Sequence, residues 1–70
     1  MTEVPIRTEE IKLDQFLKLA AAVAGGGEAK VRVQSGEVTV NGAVETRRGH
    51  RVRRGDVIGI GGREYRVGPS

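Results

Sequence analysis

The stretch GGGEAKVRVQSGEVTVNGAVETRR, residues 25–48, carries the decision about the fold. It opens on three glycines, which end whatever precedes them. Lys30-Val31-Arg32-Val33-Gln34 then alternates polar and apolar, and valine favours strands. That pattern points to a strand. A helix would place Ala29 and Val33 four residues apart on one face, a weaker signal. Residue pattern leaves both readings open here. Val38-Thr39-Val40 alternates again and runs into Asn41-Gly42 and Ala43-Val44. Asn-Gly between apolar runs is a strong short-range sign of a hairpin.

Working outward toward the N-terminus, Ile11–Ala24 reads as a helix for most of its length. Asp14 is the expected N-cap, and Leu13, Phe16, Leu17, Ala20, Ala21 and Val23 form an apolar face at helical spacing. Residues 1–10 read as a lead-in in which Val4-Pro5-Ile6 suits a short edge strand, where proline is tolerated. Toward the C-terminus, Arg54-Gly55-Asp56 is a turn. Val57–Ile60 pairs with Glu64–Val67 across Gly61-Gly62. Gly68-Pro69-Ser70 reads as a frayed end.

The 70 residues suit a single domain spanning 1–70. A chain of that size buries only about 60% of its unfolded surface, which leaves little room for a deep catalytic pocket. There is no cysteine. Disulfides, thiolate metal sites and thiol catalysis are therefore excluded, and a reducing compartment, the cytoplasm, is expected. The beginning, MTEVPIRTEE, has no apolar segment of the kind a signal peptide needs. The longest apolar run, Leu19–Ala24, is far too short to span a membrane.

Charge is distributed unevenly. Residues 1–43 carry five basic and six acidic groups, whereas residues 44–70 carry seven arginines and three acidic groups. Five of those arginines fall between Glu45 and Arg54. Such asymmetry indicates a polyanionic partner, and arginine forks match phosphate geometry better than lysine does. His50 is the only histidine, set among cations without a carboxylate pair, and it builds no metal site. The glycine triplet lacks the Walker lysine and the dinucleotide-fingerprint spacing, so it reads as a connector. Glu28, Glu37 and Glu45 read as ordinary surface charge. No nucleophile–base constellation exists, and no cofactor or enzymatic activity is expected. Phe16 and Tyr65 are the only aromatics. Phe16 reads as core, and Tyr65 reads as a strand residue packed on the helices. Two aromatics make a poor single-strand stacking platform, so a polyanion would be read through shape and phosphate.

The ordered set Lys12-Leu13-Asp14-Gln15-Phe16-Leu17, Glu28-Ala29-Lys30, Gly36–Gly42 and Gly55-Asp56-Val57-Ile58 resembles the S4 domain, a family of small RNA-binding modules. Residues 25–48 look like its stand-alone bacterial, YbcJ-like branch. The resemblance implies an α+β, S4-like (alpha-L) fold: two short helices packed on a small, mostly antiparallel β-sheet. It makes residues from about 27 to 35 the second helix. It also implies a non-catalytic monomer that binds structured RNA, ribosomal or transfer RNA, with no membrane partner. Lys12 and Lys30 would contact phosphate, Asn41 would lie near the RNA surface, and Arg47, Arg48 and Arg51 would extend it. Arg53 and Arg54 would lead into the following turn. Many family members carry a serine–arginine pair before the second helix. Here Gly26 and Gly27 stand there, and their amides at the helix N-terminus would receive a phosphate in place of the missing arginine. The alternative is a protein-interaction adaptor, or an accessory acting in trans for an RNA-modifying or ribosome-associated complex.

Overall fold

The computed structural model describes residues 1–69. Seven strands and two helices follow in the order β1 (Thr2–Ile6), β2 (Glu10–Lys12), α1 (Leu13–Leu19), α2 (Gly26–Gln34), β3 (Val38–Val40), β4 (Ala43–Val44), β5 (Arg51–Arg53), β6 (Val57–Ile60) and β7 (Arg63–Pro69). Five strands form one sheet in the order β1-β7-β6-β3-β4, and β2 and β5 form a separate antiparallel pair. Only β1 and β7 run parallel; the other ladders of the large sheet are antiparallel. The two helices lie on this sheet, as an α+β, S4-like architecture requires.

Alternating residues build the inner face of the sheet. Ile58 and Ile60 of β6, Tyr65 and Val67 of β7, and Val4 and Ile6 of β1 point into one core. Leu13, Phe16 and Leu17 of α1 and Ala29 and Val33 of α2 meet them from above. Tyr65 is thus a packing residue. The segment that alternates at Lys30–Gln34 is helical, and its buried pair is Ala29 and Val33. The four-residue spacing prevailed because α2 has one buried face and one exposed face, whereas a strand would have buried Val31 with Val33. Val31 is instead 62% exposed.

Both short helices end in the same way. At the end of α2, Gly36 takes φ +84°; its N–H bonds the Val33 carbonyl, and the Glu37 N–H bonds that of Arg32. At the end of α1, the N–H of Ala21 bonds the Lys18 carbonyl and that of Ala22 bonds Leu17. These pairs of bonds satisfy last-turn carbonyls and require a left-handed residue at the bend. Ala21 supplies it at φ 56° without the freedom of a glycine.

This closure corrects the helix expected over 11–24. The helix stops at Leu19, well before the glycine triplet, and Ile11 pairs with Val52 in the β2–β5 ladder. Asp14 is not the N-cap: Lys12 holds that place with extended backbone, and Asp14 lies in the first turn, accepting from the Gln15 N–H at 2.8 Å. The expected frayed end is also corrected. Gly68 pairs with Pro5 and Pro69 with Ile6, so the β7 ladder runs to Pro69, and Ser70 lies outside the described residues. The expected lead-in, residues 1–10, holds all of β1 and the start of β2.

Asn41-Gly42 makes the expected two-residue turn, with φ 52° and 87°. Positive φ at both positions matches a type I′ hairpin, whose twist agrees with that of the strands it joins. Gly61-Gly62 repeats the device between β6 and β7 at φ 57° and 78°.

Candidate functional site

The arginine-rich segment is bound to the start of α1 by its own backbone. The Leu13 N–H donates to the His50 carbonyl at 2.8 Å, and the Asp14 N–H donates to that of Arg48 at 3.1 Å. The first amides of a helix lack intrahelical acceptors, and here a loop supplies them. α1 therefore offers no open amide cradle at Leu13, Asp14 or Gln15 for an anion. What the arrangement presents instead is side-chain charge. Lys12 is the Cα partner of Arg51 in the β2–β5 ladder, and Arg48 sits where its carbonyl meets Asp14. Lys12, Arg47, Arg48 and Arg51 are thus gathered around one helix end, and all four are exposed.

Glu45 organises the loop. Its carboxylate accepts from the Arg47 backbone N–H at 3.0 Å, from Arg47 Nε at 3.0 Å and from Nη2 at 3.2 Å. His50 Nδ1 lies 3.3 Å from its other side. The Glu45 side chain is only 13% exposed, while that of Arg47 is 75% exposed. The Arg47 hydrogen bonds, side chain first and then backbone, hold the Glu45 carboxyl down at about 2. The same contact raises the Arg47 guanidinium. Glu45 is therefore a fixed acceptor that shapes the loop, more than the ordinary surface charge its sequence context indicates. His50 belongs to the same cluster and is about one-third exposed.

The cations differ in how far they are already engaged. Arg51 donates to Glu10 at 3.1 Å, Arg53 Nε stands 3.6 Å from the same carboxylate, and Arg54 donates to the Ile6 carbonyl at 3.2 Å. Among the described residues, Lys12, Lys30 and Arg48 make no ion pair. Arg54 thus has a structural contact, in line with its expected place leading into the turn.

Two of the six candidate residues stand apart from this cluster. Lys30 is exposed on α2, and no hydrogen bond or ion pair ties it to the loop. Asn41 is at the hairpin, where both ends of its carboxamide serve the fold. Its Oδ1 accepts from the Val57 N–H at 2.9 Å, and its Nδ2 donates to Asp56 Oδ1 at 3.1 Å. Asp56 in turn accepts from the Arg53 N–H at 2.8 Å. The β3–β4 hairpin is by this route tied to the end of the arginine segment.

Sequence reasoning missed two further cations. Arg7 lines a surface groove together with Lys12 and Arg51. Lys18 Nζ stands 3.9 Å from where a Cβ on Gly26 would lie, beside the opening of α2. Arg7 gave no signal because it lies alone in the lead-in. Lys18 was legible in principle, since it follows Asp14 and Gln15 on the face of α1 opposite Phe16.

Residues 4–68 match the family described as S4 domain. The chain belongs to the S4 domain family. Among curated relatives, this S4 domain is 46% identical over 59 residues to RlbA of Bacillus subtilis (strain 168), a probable ribosome maturation protein. That match covers 84% of this chain and 83% of RlbA. It is 33% identical over 57 residues to YbcJ of Escherichia coli (strain K12), covering 81% of each chain. The solution structure of E. coli YbcJ, described as revealing an αL motif involved in RNA binding, superposes with a TM-score of 0.75 at 29% identity, covering 97% of this chain and 87% of that one. Ribosomal protein S4e of the 30S subunit from Thermoplasma acidophilum gives a TM-score of 0.66 at 26% identity, covering 86% of this chain and 32% of that one. Among the described residues, no helix is long and apolar enough to cross a membrane.

Proposed function

We propose that this S4 domain is a non-catalytic RNA-binding module that recognises structured RNA, ribosomal or transfer RNA, through phosphate contacts and helical shape. The observation that carries this reading is the convergence of Lys12, Arg47, Arg48 and Arg51 around the start of α1. The loop that bears the arginines is held there by two backbone hydrogen bonds and by Glu45. A pre-shaped cationic surface loses less entropy on meeting a phosphate backbone than a free arginine tail would. Lys30 extends the surface along α2. The similarity to YbcJ and to a ribosome maturation protein supports the same reading.

A filter-binding titration across salt concentration tests it. Each phosphate contact contributes roughly 0.7–0.9 to the slope of log affinity against log salt, so a surface of four cations gives a slope of about −3. Affinity indifferent to salt argues against the reading. A protein partner that survives nuclease treatment would favour an adaptor role instead.

A further inference from the structure

A groove of about 550 Å³ runs along the exposed side of α1, between that helix and the chain joining β1 to β2. Ile11 and Leu19 are part of its apolar lining, and Arg7, Lys12 and Arg51 stand around it with Glu10. Leu19 is 54% exposed, a large apolar side chain left open beside three cations. Helix packing does not require it there, because Leu13, Phe16 and Leu17 already fill the core side of α1. Glu10 does not cancel the charge of the groove. Its carboxylate is held by Arg51 and Arg53, and Arg7 and Lys12 remain without an ion pair among the described residues.

We infer that this groove takes one unpaired nucleotide of a bound RNA, with the base against Leu19 and Ile11 and the phosphate on Arg7 and Lys12. The inference rests on the RNA-binding reading above and deepens it. Three features favour a nucleotide. The volume lies within the range of about 300–1,000 Å³ usual for small-ligand sites. Apolar side chains beside cations suit a group with a flat, poorly hydrated face and an anionic end, and extruded bases are held between aromatic or apolar side chains. Finally, Lys12 and Arg51 belong both to the groove and to the cationic surface at the start of α1, so a strand whose phosphates lie on that surface passes the groove mouth. The site adds a means of preferring loops and bulges, whose bases are free to leave the stack, over uninterrupted duplex.

Fluorescence anisotropy with two labelled RNA hairpins, identical except for one bulged nucleotide, tests the inference. The wild-type chain is expected to bind the bulged hairpin roughly tenfold more tightly, a factor that burial of part of a base face against Leu19 and Ile11 supplies. Leu19→Ser is expected to erase that preference while leaving affinity for the perfect hairpin unchanged. Because Leu19 is exposed, the variant keeps its core, which circular dichroism verifies. Arg7→Ala is expected to reduce the preference as well. Equal binding of the two hairpins by the wild-type chain overturns the groove assignment and leaves the RNA-binding reading standing. A preference that persists in Leu19→Ser also overturns it. Failure of the wild-type chain to bind either hairpin overturns both.

Discussion

Asn41 has a φ of 52°, and its carboxamide bonds both Val57 and Asp56. Asparagine tolerates the left-handed region better than alanine, and two polar contacts depend on its side chain. Asn41→Ala is therefore expected to cost about 2 kcal/mol in chemical denaturation, and Asn41→Gly, which loses the same two contacts but takes the left-handed backbone without strain, about 1 kcal/mol less than that. If RNA affinity per folded molecule is unchanged in both, Asn41 serves the hairpin and not the ligand. Glu45 gives a second residue-scale expectation. The Arg47 hydrogen bonds hold its folded carboxyl at about 2, well below the usual carboxylate range near 4.5. A carboxyl depressed on folding contributes stability that is complete above the unfolded value and is lost as pH falls through the folded one. The loop should thus hold its shape from neutrality down to about pH 4.5 and loosen between there and about pH 2. Following the Arg47 Nε–H and Leu13 amide resonances by NMR through that range checks this. Resonances that shift only above pH 5 would contradict it.

At the level of elements, the sequence made the turns and the two-valine strands plain because their chemistry is local. Asn41-Gly42, Gly61-Gly62 and Gly55 all take the positive φ that their residue types permit. Elements decided by distant partners were not legible. β2 and β5 are three residues each, and β5 is one valine between two arginines. Neither is a strand without the other, so nothing local marks Ile11 as a ladder residue. The premature end of α1 was hidden for another reason. Alanine is the best helix former, yet Ala21 occupies a left-handed bend because Ala22 and Val23 must turn back to the core. Replacing Ala21 with glycine is expected to relieve that strain and raise stability by about 1 kcal/mol, or roughly 4–8 °C in Tm. A lowered Tm would show that the bend carries no strain. In the sheet, Gly59 faces Thr39 so closely that a Cβ would stand 2.5 Å from its hydroxyl oxygen. Gly59→Ala should cost about 1–3 kcal/mol, and Thr39→Ala in the same chain should recover most of it, a coupling that a double-mutant cycle measures.

Across the whole molecule, the candidate RNA-binding cations fall into a cluster at the start of α1 and a separate position on α2, which makes their contributions separable. Changing Arg47, Arg48 and Arg51 together to alanine is expected to flatten the salt slope by about 2–3, and Lys30→Ala by about 1. Their effects on binding free energy should add, since no contact joins them. All of these residues are exposed, so the melting curve should move little. Strong non-additivity would mean that the RNA bridges loop and helix through one rigid contact. The candidate cluster was half legible from charge alone. The Arg47–Arg51 density stood out in the sequence, but its junction with Lys12 depends on the Lys12–Arg51 register, which joins residues far apart in the chain.

The parallel pairing of β1 with β7 has a consequence for biogenesis. Thr2 aligns with Tyr65 and Ile6 with Pro69, so β1 has as its neighbour a strand synthesised roughly sixty residues later. During vectorial translation Val4 and Ile6 emerge before their partners and have no ladder to join until roughly sixty further residues have been added. Closing so long a loop is slow. The nascent chain should therefore acquire its antiparallel β3–β6–β7 ladders before β1 docks. A pulse-labelled hydrogen-exchange experiment should find the β1 amides protected last.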